Sequence, residues 1–218
     1  MTSMMMVPIN PTILYVTNPM CPWCYGFTAT IRRLKALWHG RLHVKVLIGD
    51  MEAYATQPLQ PNEKERMAVS WHRVQQRSKL PFDYRFFLNK NFVYRTEPVC
   101  RALLSVRLLR PVLTLEVLRA LHSAFFADGL DVTQPENLVK VVRLFGISEN
   151  LFYTLYESEE IMDQIEQEFQ LVESMGATRF PSVYLEGRQG PELLTKGYCD
   201  LFDLEDKLLQ RLEILQGR

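Results

Sequence analysis

Cys21-Pro22-Trp23-Cys24 is the segment of this chain best equipped for chemistry. Two thiols at this spacing lie one turn apart if they open a helix, within reach of a disulfide of ordinary geometry. Pro22 suits the first helical position, where its missing N–H costs nothing, so Cys21 falls at or beside the N-cap. Free backbone N–H groups and the helix dipole stabilise a thiolate there. That lowers the thiol pKa and makes Cys21 the better nucleophile at neutral pH. The chemistry implied is thiol–disulfide exchange: attack by Cys21 on a substrate disulfide, a mixed disulfide, and resolution by Cys24. Two packed cysteines, or half of a metal site, could carry the same four residues. Zinc would need a second close pair of ligands, and only His39 and His43 offer that spacing. No metal and no bound cofactor are expected.

This chemistry needs a strand before the motif and a helix after it. Thr12 to Thr17 is apolar and β-branched and is closed by Asn18-Pro19, which predicts a buried strand. Phe27, Ile31, Leu34, Leu37 and Trp38 recur at gaps of three and four, and Gly40 is a fitting stop. Leu42 to Ile48 predicts a second strand, with a right-handed crossover between the two. Helices are predicted from Asn62 to Ser78, Thr96 to Leu109, Thr114 to Ala127, Gln134 to Phe145 and Ser148 to Tyr156. A further one, capped at Ser158, should run to Met175 and stop at Gly176. Ser182 to Glu186 and Pro191 to Thr195 then predict a hairpin turning over Gly187 to Gly190, and Tyr198 to Leu215 a closing helix. The order is an α/β fold whose βαβ and αββα halves flank a helical insertion. Residues 1–55 and 159–218 form one domain on this reading, and 56–158 the inserted helical domain.

Composition narrows the function classes. The chain has 218 residues, 47% hydrophobic and 23% charged, enough to bury a core. Lys plus Arg equals Asp plus Glu, 25 each, so nothing electrostatic points to nucleic acid or an anionic membrane surface. The first eleven residues lack a basic n-region and are broken by Pro8 and Pro11. Neither a secretory leader nor a membrane span is expected from the sequence, and a cytoplasmic setting is. Four cysteines in a chain this long do not make a disulfide-built scaffold.

Asn18-Pro-Met-Cys-Pro-Trp-Cys-Tyr-Gly-Phe27 and Thr96-Glu-Pro-Val-Cys-Arg-Ala102 resemble the DsbA-like thioredoxin-fold oxidoreductases, especially their FrnE-like bacterial branch. Ala124-Phe-Phe-Ala-Asp-Gly129 and the Gly176-to-Leu185 segment extend the likeness over nearly the whole chain. The resemblance implies a thioredoxin-like fold split by a helical subdomain. Cys21 would then attack, Cys24 resolve, and Pro181 be a cis-proline facing the disulfide. A cis bond there would aim the Phe180 backbone outward to pair with an extended substrate peptide. Two departures matter. DsbA enzymes carry His between their cysteines where this chain has Trp23, which argues against a strongly oxidising centre. Some FrnE-like members have a second cysteine pair near the C-terminus, whereas Cys199 stands alone.

Trp23 is expected to face substrate. Cys100, among Leu103, Leu104 and Leu108, reads as a small packed hydrophobe, and Cys199 as structural. His72 and His122 read as ordinary helix residues, and Glu97 as an acid stabilising a helix start. Met4 to Met6 reads as a terminal segment, and the run from Glu157 to Glu168 as a solvated helix face. The leading function is disulfide exchange with protein or peptide cysteines, with glutathione or a reductase recycling the pair. A glutathione-dependent isomerase or transferase, of the 2-hydroxychromene-2-carboxylate isomerase or kappa-class type, is the alternative. Such enzymes generally use a single Ser or Cys, so Cys24 argues against it. A non-catalytic binding module is a third reading, disfavoured by the intact cysteine pair.

Overall fold

Thr12–Thr17 (β1) lies near the centre of a four-stranded sheet of order β2-β1-β3-β4. Its neighbours are His43–Ile48 (β2), Ser182–Gly187 (β3) and, beyond β3, Gly190–Lys196 (β4). β1 runs parallel to β2, Thr17 opposite Ile48, and antiparallel to β3, Tyr15 opposite Val183. The computed structural model describes residues 10–187 and 189–215. Met4 to Met6 lie outside them, as does Arg188 in the expected hairpin turn.

Eight α-helices complete the described chain: Pro22–Leu37 (α1), Pro61–Ser78 (α2), Glu97–Leu109 (α3), Thr114–Phe126 (α4), Pro135–Arg143 (α5), Glu149–Tyr156 (α6), Glu159–Ser174 (α7) and Leu201–Leu215 (α8). Helices α2 to α6 separate β2 from α7 along the chain, and the whole is the expected thioredoxin-like α/β fold. Successive strand residues point to opposite faces. Ile13, Tyr15, Val46, Ile48, Val183 and Leu185 accordingly pack with Phe27 and Ile31 of α1 and Leu204 of α8. Leu14, Val16, Leu47 and Tyr184 pack instead with Val172 and Ala177. Burial on both faces accounts for the unbroken apolar run in β1. Gly26 lets α2 approach α1, since a Cβ there would lie 2.9 Å from Val74 Cγ1.

Two expectations need correction. The closing helix begins at Leu201, not Tyr198. Gly197 adopts φ +93° and donates its N–H to Pro181 O at 2.7 Å, so the chain turns before the helix can start. The acidic run of α7 is not wholly solvated either, because Glu168 is buried and paired with Arg107. Glu168 Oε1 accepts from Ile48 N at 2.6 Å, and Arg107 Nη1 donates to Val46 O at 2.7 Å. The pair thus satisfies backbone groups on the outer edge of β2, where another strand could otherwise add. Its position on the inward face of α7 follows from packing, which the local composition does not reveal.

Candidate active site

The site forms where β1 ends and α1 begins. Cys21 is the N-cap residue of α1, with Pro22 in its first turn, and its N–H donates to Asn18 O at 3.0 Å. The Phe180–Pro181 peptide bond, just before β3, is cis. Cys21 Sγ lies 3.8 Å from Phe180 O, so the motif and the proline loop meet across 159 residues of sequence. Cys21 is 4% exposed and Cys24 fully buried, and both are free thiols.

These two sulfurs experience opposite electrostatics. Burial pushes the Cys21 thiol up, but hydrogen bonds from the Cys24 thiol and from the Cys24 and Trp23 backbone N–H groups outweigh it. The net position is below the ordinary thiol value. Cys24 is pushed well above that value, first by burial and then by the neighbouring Cys21, with the Thr17 hydroxyl and the Asn18 N–H pulling the other way. Cys21 is therefore the more readily ionised of the two sulfurs.

Beneath Cys24 lies a buried layer of polar side chains. Tyr15 OH donates to Cys24 O at 3.3 Å and is 3.0 Å from Thr28 Oγ1. Thr17 Oγ1 donates to Tyr15 OH at 3.2 Å, and Thr28 Oγ1 donates to Cys24 O at 2.9 Å. His122, from α4, sits 3.3 Å from both Thr28 Oγ1 and Asn18 O and is fully buried. Burial brings its pKa down to about 3, so it is neutral. Asn18 Nδ2 donates to Gly49 O, Thr96 Oγ1 and Cys100 Sγ, tying the end of β1 to the start of α3. Tyr94 OH donates to Met20 O.

Around the mouth, Trp23 is half-buried and packs edge-on against Tyr198, ring centroids 5.9 Å apart. Phe180 is half-buried against Gly49, where a Cβ would fall 2.2 Å from its ring. A groove of about 650 Å³ runs from Pro22 past Met51, Tyr94 and Met67 to Arg66. A second, of about 350 Å³, lies beyond Phe180 between Asp50, Tyr54 and Glu166. Two further thiols are free, Cys100 and Cys199. Burial pushes Cys100 well above the ordinary value and Cys199 above it. Glu97 is in the first turn of α3, paired with Arg101 at 2.8 Å and raised by burial. His72 is exposed on α2.

Sequence reasoning singled out Cys21, Cys24, Trp23, Phe180 and Pro181, and the fold gathers all five at one end of the sheet. It passed over Tyr15, Thr17, Thr28 and Asn18, and read His122 as ordinary. The one available signal was the pair of hydroxyls at Tyr15 and Thr17, alternate residues that share one face of the strand. Among the described residues no three His, Cys, Asp or Glu side chains converge as a metal site, and no helix is long and apolar enough to cross a membrane.

A mixed sheet with a cysteine pair opening its first helix defines a thioredoxin-fold protein. Residues 12–209 match the model of the DSBA-like thioredoxin domain, and the chain belongs to that family, whose members are thiol–disulfide oxidoreductases. Among solved structures it is similar to a provisionally assigned protein disulfide isomerase from Nitrosomonas europaea, at 30% identity and TM-score 0.88 over 94% of this chain and 98% of that one. It is also similar to the cytosolic disulfide reductase DsbM from Pseudomonas aeruginosa, at 21% identity and TM-score 0.75 over 93% and 99%. A 2-hydroxychromene-2-carboxylate isomerase shares the fold at 13% identity and TM-score 0.67 over 94% and 98%. No curated protein matches the sequence significantly.

Proposed function

We propose that this protein exchanges disulfides with cysteine-containing proteins or peptides through Cys21 and Cys24, with Cys21 attacking and Cys24 resolving. The observation that carries this reading is Cys21 Sγ at the start of α1, 3.8 Å from the carbonyl that precedes Pro181. An extended substrate lying along Phe180–Pro181 would bring its own sulfur to Cys21, with the Trp23 ring alongside. No cofactor is required, because the two thiols supply both electrons. Their opposite shifts support the division of labour. The motif around Cys21 supports membership of the FrnE-like branch, and α2 to α6 support an inserted helical domain over 56–158.

The similar DsbM is a cytosolic disulfide reductase, and its structure has been solved both without and with glutathione. We infer the same reducing setting here, with glutathione or a dedicated reductase returning the pair to the dithiol. Retention of Cys24 beside Cys21 favours exchange over glutathione-dependent isomerisation. The test is the equilibrium reduction potential of the Cys21–Cys24 couple in glutathione buffers. Known couples span about −120 mV for DsbA to about −270 mV for thioredoxin, and this one is expected between them. A pair that never forms a disulfide across that range would end the reading.

A further inference from the structure

Resting on the reading above, we propose that His122 is a positioning residue for the attack: from α4 it holds the Asn18 carbonyl that anchors Cys21, and so keeps the attacking sulfur in line with a peptide on Phe180–Pro181. In that step Cys21 S⁻ attacks one sulfur of the substrate disulfide. The bond from Cys21 to that sulfur forms, and the bond between the two substrate sulfurs breaks. The departing sulfur leaves as a thiolate and takes its proton from water.

One carbonyl joins the two residues. Asn18 O accepts from Cys21 N at 3.0 Å and lies 3.3 Å from His122 Nε2, 104 residues further along the chain. A carbonyl can only accept, so Nε2 carries the imidazole hydrogen and Nδ1 is left as an acceptor, 3.3 Å from Thr28 Oγ1. Both ring nitrogens are thereby engaged, and the Tyr25 and Phe126 rings lie beside the imidazole, centroids 5.9 and 6.3 Å away. The Asn18 side chain fixes other points of the same turn: Oδ1 accepts from Met20 N at 2.9 Å, and Nδ2 donates to Gly49 O at 3.0 Å. His122 adds the hold on the peptide plane that meets the Cys21 N–H. That plane sets the start of α1, where Cys21 Sγ stands 3.8 Å from Phe180 O. Removing the imidazole orphans no buried group. Asn18 O keeps the Cys21 N–H, and the Thr28 hydroxyl keeps Cys24 O as its acceptor at 2.9 Å. An apolar side chain of similar size should therefore fold, and what it removes is the tether.

The experiment mixes the reduced full-length protein with a peptide whose single cysteine is capped as its mixed disulfide with thionitrobenzoate. The thiol of lower pKa leaves first, so release of the coloured thionitrobenzoate is the attack phase. Later release of the peptide thiol, read by mass spectrometry after an acid quench, is the resolving phase. Alkylation of Cys21 by iodoacetamide runs alongside, because so small a reagent reads the thiolate and needs no alignment along Phe180. Misplacing a reacting group is costly, though a single neutral hydrogen bond is modest, so His122→Leu should slow the attack phase about tenfold and leave alkylation within about twofold. His122→Gln, whose amide nitrogen can reach the Asn18 carbonyl, should restore the attack phase. Where His122→Leu does not fold, His122→Asn, too short for that carbonyl, should show the same contrast. An unchanged attack phase, equal slowing of attack and alkylation, or a His122→Gln variant as slow as the one lacking the tether would each overturn the proposal. If the unaltered protein releases no peptide thiol, the exchange function falls instead.

Discussion

The mouth and the floor of the site lie three residues apart in sequence and are built by different means. At the mouth, Cys21 is stabilised as a thiolate by groups of its own segment: the Cys24 thiol and the N–H groups of Cys24 and Trp23. On the floor, Cys24 is enclosed by Tyr15 and Thr17 from β1, Thr28 one turn along α1 and His122 from α4. Backbone groups at a helix start are present whatever the side chains, whereas the floor exists only where three elements meet. The difference separates two jobs. The mouth favours charge on Cys21 and the floor opposes it on Cys24, which is the asymmetry that the proposed division into attack and resolution uses.

The largest effect should come from removing either sulfur. Cys21→Ser should abolish exchange with a peptide disulfide, and Cys24→Ser should still attack but accumulate a covalent adduct at Cys21, read by mass spectrometry. An adduct at Cys100 or Cys199 would break the comparison. Next in size is the pH dependence of alkylation. Iodoacetamide should modify Cys21 below the ordinary thiol range and at least about a hundredfold faster than Cys24 at neutral pH, because only the thiolate reacts. Stability follows with opposite signs. The Cys21 contribution is present above the unfolded thiol value and is lost as pH falls through the lowered folded value. Cys24 and Cys100, raised in the fold, stabilise the reduced protein below the ordinary value of 9.0 and cease to do so as pH rises beyond it. Urea denaturation of the reduced protein across that range measures both.

Gly49→Ala sharpens the comparison from the side of the mouth. A Cβ at that position overlaps the Phe180 ring, so the ring must shift and carry the backbone facing Cys21 with it. A loss of about 1–3 kcal/mol of stability is expected, together with slower attack and an unaltered resolving phase. Equal slowing of both phases would mean that mouth and floor are mechanically one unit. Smallest of all is Trp23→His. An imidazole between the cysteines can donate to a thiolate where the indole of Trp23 does not, so the potential should rise and the Cys21 pKa fall together. A rise of 30 mV corresponds to about 1.4 kcal/mol for a two-electron couple. A variant that moves neither quantity would assign the poise to the floor.

The sequence by itself determined the strand, the helix opened by Pro22, the order of the elements and which two thiols stand at the helix start. Those features are written in local signals: β-branched runs, gaps of three and four, a proline in a first turn, two thiols one turn apart. It also marked Phe180-Pro181 through the family motif, although 159 residues separate Phe180 from Cys21. Tertiary structure decided the rest. That Glu168 is buried against β2 and not solvated depends on how α7 packs, and an acidic run reads alike in either orientation. That His122 is a neutral buried partner of Thr28 and Asn18 depends on α4 crossing beneath α1. Thr17 reads as one β-branched residue among several in β1. Only the fold joins its hydroxyl, through Tyr15, to Thr28 and the Cys24 carbonyl, because hydrogen bonds between distant residues leave no periodic trace in the chain that makes them.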